Sequence, residues 1–110
     1  MNVEAEIIRY LSDCGIKAYA DVPNPRPEEF VTVELTGGTS EYGRVGRPTV
    51  AIQSWSRSRY SASELAIKVD SLMRDIVSVP MFARCRRNSL YNFPDDAQSR
   101  YQGVYDLVTY

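Results

Sequence analysis

The chain has 110 residues, of which 44% are apolar and 25% charged, and its net charge is −1. A chain of this size forms a single domain, 1–110, with one core that buries roughly 65% of the unfolded surface. No apolar run reaches the roughly 18 residues of a membrane-spanning helix, and no histidine is present.

The absence of histidine removes the usual neutral-pH acid–base group, the Ser–His and Cys–His nucleophile pairs and the commonest metal ligand. The first residues, Met-Asn-Val-Glu-Ala-Glu, lack the basic-then-apolar order of a secretory signal, so a cytoplasmic protein is expected. Cys14 and Cys85 stand far apart in apolar-patterned contexts and read as two buried thiols rather than a disulfide. Charge is unevenly spread. Residues 1–43 hold eight acids and three bases, whereas residues 44–110 hold ten bases and six acids. Two readings stand: copies that meet head to tail, or halves that interleave in the fold and cancel.

A helix is predicted over residues 3 to 14. Asn2 suits its N-cap, Glu4 and Glu6 its first turn, and Val3, Ile7, Tyr10, Leu11 and Cys14 share one face. Gly15 suits the left-handed position beyond the last turn, with Ile16 folding back. A short extended piece, Ala18 to Val22, precedes Pro23-Asn24-Pro25-Arg26-Pro27, a stiff connector.

Phe30 to Thr36 alternates as a half-buried strand, with Val31, Val33 and Leu35 on one face and Phe30, Thr32 and Glu34 on the other. Thr36-Gly37-Gly38 reads as its end. Gly38 to Arg47 reads as a long polar loop between two antiparallel strands. The next strand runs from Pro48 to Trp55, with Val50 and Ile52 facing one way and Thr49, Ala51, Gln53 and Trp55 the other.

Ser61-Ala62-Ser63-Glu64 fits a capping box for a second helix with the apolar stripe Leu65, Val69, Leu72, Met73 and Ile76. Glu64–Lys68 and Asp70–Arg74 are i, i+4 pairs assigned to its outer face, and Pro80 stops it. Two strands are predicted after it, Phe82 to Tyr91 and Arg100 to Tyr110, around a Pro94-Asp95-Asp96 loop. Tyr101, Tyr105 and Leu107 lie on one side of the last strand and Val104, Val108 and Tyr110 on the other, which leaves two readings: both faces covered, one of them by a neighbouring subunit, or Tyr side chains lying flat on a solvated face. The fold class that follows is α+β: a mixed, mostly antiparallel four- to five-stranded sheet with two helices packed on one face and a right-handed crossover over 48–91.

No reaction centre emerges. The two cysteines make no Cys-x-x-Cys site, no phosphate loop is present, and Asp95-Asp96 read as turn residues. Gly43-Arg44-Val45-Gly46 matches a nucleic-acid-clamping Gly-x-x-Gly, but between strands rather than helices. Arg57, Arg59, Tyr60, Arg84, Arg86 and Arg87 would make a basic aromatic surface, set against a near-neutral net charge.

Three features together carry a family resemblance. They are the strand Phe30-Val31-Thr32-Val33-Glu34-Leu35-Thr36-Gly37-Gly38 after a helix and a proline loop, the run Val50-Ala51-Ile52-Gln53-Ser54-Trp55-Ser56 leading into Ala62–Leu72, and the late Pro94-Asp95 loop before Arg100-Tyr101 and a terminal strand. The chain resembles the tail-terminator (tail-completion, minor tail) proteins of long-tailed bacteriophages, including the lambda tail terminator. The resemblance implies a non-enzymatic phage or prophage structural protein without cofactor, metal or small-molecule substrate. It implies a homo-oligomeric, hexameric ring that caps the tail tube, meets the tube protein on one side and a head–tail connector protein on the other, and resides in the host cytoplasm during assembly and then in the virion tail. A neck or head–tail connector role on a related fold, and a small nucleic-acid-binding module, are the alternatives. The interface candidates are Arg44, Arg47, Trp55, Arg57, Arg59, Tyr60, Tyr101 and Tyr105, with the Trp55–Tyr60 run read as an outward surface.

Overall fold

The computed structural model of the chain describes residues 2–40 and 46–110. Helix α1 (Val3–Asp13) starts where Asn2 accepts a hydrogen bond from the Ala5 N–H, with Glu4 and Glu6 in its first turn. It ends in a paired cap: the Ile16 N–H donates to the Leu11 carbonyl and the Gly15 N–H to the Ser12 carbonyl, while Gly15 takes a φ of 90°. Ile16 is thereby turned back into the core. Strand β1 (Ala18–Tyr19) is only two residues long and pairs in parallel with β2 (Phe30–Ser40). Strand β3 (Gly46–Ser56), helix α2 (Arg59–Arg74), a 3-10 turn (Ile76–Ser78), β4 (Phe82–Asn92) and β5 (Ser99–Thr109) complete the chain.

The strands form one five-stranded sheet in the order β1-β2-β3-β5-β4, antiparallel except for β1–β2. Strands β3 and β4 run parallel with β5 between them, so α2 crosses over β5. Register places Val31 and Val33 of β2, Val50 and Ile52 of β3 and Tyr105 and Leu107 of β5 on one face. Those residues and Ile7, Leu11, Leu65, Val69, Met73, Ile76 and Phe82 make a single core. Both helices therefore cover the same face, as the sequence pattern requires, and the fold is α+β. Burying side chains such as Ile52 or Met73 contributes roughly 1.5–3 kcal/mol each. The Tyr10 hydroxyl donates to the Leu72 carbonyl at 2.6 Å and joins the two helices.

Several expectations need correction. Strand β2 does not end at Thr36-Gly37-Gly38. A bulge between Leu35 and Gly37 absorbs the irregularity and pairing continues to Ser40↔Gly46. Gly38 permits this with a φ of 106°, and a Cβ there would sit 2.2 Å from the Arg47 carbonyl oxygen. At the approach to the bulge β2 leaves the core, and Leu35, expected on the buried face, is 47% exposed. The N-cap of α2 is Ser58, one turn earlier than Ser61. Ser58 accepts from the Ser61 N–H at 3.1 Å, and the Ser61 hydroxyl accepts from the Ser58 N–H, so serine takes the place of the usual Glu in the box.

Asp70 is not on the outer face of α2 but buried, still paired with Arg74 at 3.3 Å. Cys14, the C-cap of α1, is exposed rather than buried; Cys85 is half-buried, and both thiols are free. In β5 the Tyr105 side is buried, whereas Val104 and Val108 on the other side are only half covered. Among the described residues, no helix is long and apolar enough to cross a membrane.

Candidate functional site

The face of the sheet opposite the helices is the part of the molecule that the core does not account for. Alternation and register order its side chains into rows that cross the strands. At one end lie Phe30, Trp55 and Arg100. Next come Tyr19, Thr32, Gln53, Gln102 and Tyr91, then Glu34, Ala51, Val104 and Ser89, then Thr49, Asp106 and Arg86. The last row holds Arg47, Val108 and Arg84.

The aromatic end is closed by loops. Phe30 and Trp55 stack with centroids 5.4 Å apart and planes 8° from parallel, and Tyr19 meets Phe30 edge-on. The Arg26 and Arg100 guanidinium carbons lie 5.2 and 4.7 Å from the Trp55 ring centre, and Arg100 also covers Phe93 at 4.2 Å. The proline connector and the β4–β5 loop are tied together: Gln98 Nε2 donates to the Glu28 carbonyl at 2.9 Å, and Arg26 donates to Gln98. Asp95 caps its own turn by accepting from the Ala97 N–H, the role read from the sequence.

From there a chain of hydrogen bonds runs across four strands. Trp55 Nε1 donates to Thr32 Oγ1 at 3.1 Å, Thr32 to Gln53 Oε1 at 2.7 Å, Gln53 Nε2 to Gln102 Oε1 at 2.6 Å, and Gln102 Nε2 to the Tyr91 hydroxyl. The row satisfies polar groups that would otherwise be costly to bury. At the far end Asp106 accepts from Thr49 Oγ1 and Asn88 Nδ2. Arg47, Arg84 and Arg86 gather around Asp106, Leu107 and Val108 in a shallow cleft of about 270 Å³. Among the described residues, neither Arg84 nor Arg86 makes an ion pair.

A second polar cluster lies beneath α2. Asp70, 6% exposed, accepts from the Tyr105 hydroxyl at 3.0 Å through one oxygen and pairs with Arg74 and Arg87 at 3.3 and 3.4 Å through the other. Burial, then the Asp70 charge, pushes the Tyr105 hydroxyl above its ordinary range. The same two causes push the Cys85 thiol up to about 12. The Tyr105 hydroxyl and the Cys85 thiol keep their protons, and the bonds to Asp70 fasten α2 to β4 and β5. Among the described residues, no group of three or more His, Cys, Asp or Glu side chains is placed to hold a metal ion.

The candidates read from the sequence do not form one patch. Trp55 faces away from Val50 and Ile52, as alternation required, but it is 4% exposed and is not an outward surface. Sequence alternation fixes the face and is silent on the cover, which here comes from Arg26, Arg100 and Phe30. Tyr105 is 1% exposed, on the helix-covered side with its hydroxyl committed to Asp70, and Tyr101 is half-buried on that side. Arg57, Arg59 and Tyr60 are exposed around the start of α2, with Arg57 paired to Glu28. Arg47 is exposed at the opposite end of β3, about 30 Å away along an extended strand. Arg44 lies outside the described residues. Arg84 and Arg86 join Arg47, a grouping that becomes visible only when β4 is placed beside β5.

Compared with known proteins, the sequence matches no protein-family model and no curated protein.

Proposed function

We propose that this chain is a non-enzymatic assembly protein of a tailed phage or prophage. Its copies form a ring, six in the tail-terminator pattern, that caps the tail tube and provides the surface for head attachment. The partners are other copies of the chain, the tail tube protein and a connector protein. Assembly takes place in the host cytoplasm, and the product stays in the virion tail.

The observation that carries this reading is the placement of charge. Among the described residues, Glu28 of the first part pairs with Arg57 of the second and Arg26 with Asp95; apart from these pairs, the charges of 2–40 and 46–110 form no ion pairs with one another. α1, β1 and β2 lie at one side of the sheet, and β3, β5, β4 and α2 at the other. A domain with unlike sides is suited to head-to-tail association, the kind of contact that generates rings. The uncovered sheet face and the sequence resemblance support the same reading. In it, the two ends of the strands face the tube and the connector, with Arg57, Arg59 and Tyr60 at one end and the paired ends of β2 and β3, Ser40 and Gly46, at the other.

Size-exclusion chromatography with light scattering, run across protein concentration and salt, tests it. The expected result is one discrete assembly of several copies that weakens with salt. A chain that stays monomeric at high concentration and binds DNA tightly in a salt-sensitive way would overturn it in favour of a nucleic-acid-binding module.

A further inference from the structure

We infer that the ring contact, a refinement resting on the ring reading above, seats the arginine cluster Arg47–Arg84–Arg86 of one copy on the acidic border made by Glu4 and Glu34 of the next. Strand β4 is the last strand of the sheet on its side, so its second backbone edge has no strand partner among the described residues. Bulges between Phe82 and Arg84 and between Arg87 and Ser89 interrupt that edge. A bulged, arginine-bearing edge resists regular strand addition. Contact through side chains is what it accommodates, and Arg84 and Arg86 are exposed and point to the uncovered face.

The opposite side is built differently. β1 pairs only with Val31 and Thr32, so from Val33 onward the outer edge of β2 has no strand beside it among the described residues. Helix α1 lies there instead, and Glu4 Oε2 accepts from the Leu35 N–H at 2.6 Å, placing a carboxylate on that edge. Glu34, the residue before Leu35 on β2, is exposed on the uncovered face. Arg9 on α1 and Asp106 beside the arginines are the nearby groups of contrary sign, and Asp106 is already held by Thr49 and Asn88.

The placement of charge favours a head-to-tail contact over a two-fold dimer. An isologous contact would place arginines against arginines or glutamates against glutamates, which repel.

The test uses two charge-reversed variants of the full chain, R84E/R86E and E34K, each checked for a wild-type-like circular dichroism melt. If R84E/R86E melts early, R86E replaces it. Each variant alone is expected to self-associate at least about tenfold more weakly than wild type, from exposed pairs turned repulsive. An equimolar mixture is expected to regain assembly, since each variant then presents the charge that the other lacks. If wild type assembles while R84E/R86E assembles equally well, or while the mixture stays dissociated, this contact is wrong and the ring reading survives. If wild type itself does not assemble, both fall.

Discussion

The two faces of the sheet are built on opposite plans. The helix-covered face is apolar around one buried ionic cluster, with Asp70 serving Tyr105, Arg74 and Arg87. The other face is graded: an aromatic end buried under loops, an amide-bonded middle in which Thr32, Gln53 and Ala51 are also buried, and an exposed basic end. The difference separates what makes the chain fold from what it presents to partners. Substitutions on the covered face act on stability, whereas those at the basic end of the uncovered face act on association.

The largest test of that division is Ile52→Ala against Val104→Ala. The first empties a site that is 1% exposed and is expected to cost about 2–5 kcal/mol. The second, on the half-covered face, is expected to cost about 1 kcal/mol or less. Urea denaturation of both variants checks it, and equal losses would erase the distinction. Asp70→Ala follows, at about 2–4 kcal/mol, because it leaves the Tyr105 hydroxyl and Arg87 without their acceptor. Tyr105→Phe is expected to cost about 1 kcal/mol, since both arginines remain on Asp70.

A smaller effect concerns pH. In the folded chain the Cys85 thiol is pushed from 9.0 up to about 12, and the Tyr105 hydroxyl is also raised. Both then keep protons that the unfolded chain releases. Their contribution is complete below about pH 9 and is lost as pH rises towards 12, so the thermal midpoint is expected to fall across that window. Cys85→Ala should flatten the fall, and Tyr105→Phe should flatten it at its upper end. The smallest test is chemical: iodoacetamide at pH 8 should alkylate exposed Cys14 and spare Cys85 until the chain unfolds.

The element order and the choice of covered face were legible in the sequence, because period-2 and period-3.6 apolar patterns are set by the same burial that the fold achieves. The misreadings share one cause: local signals name a residue's chemistry, but not what the rest of the chain brings to it. Gly37-Gly38 resembles a strand end until β3 is laid alongside and Gly38 is seen to permit close approach. Ser58, Ser61 and Ser63 all suit an N-cap, and the backbone path from β3 selects Ser58. The Asp70–Arg74 spacing fits an exposed pair, and only Tyr105 and Arg87, supplied from β5 and β4, show it to be an inward one. Of the candidate surface, Arg47 was legible as exposed, while its grouping with Arg84 and Arg86 depends on a strand order that no local pattern encodes.

The central claim is that copies meet through the two lateral borders of the sheet. Hydrogen–deuterium exchange, measured below and above the concentration at which the chain assembles, tests it most directly. The account predicts slower exchange on assembly in the first turn of α1, in Val33–Gly38 and in Phe82–Arg87, with central β3 and β5 amides unchanged. Assembly accompanied by protection only around Arg57–Tyr60, with both borders unchanged, would contradict it.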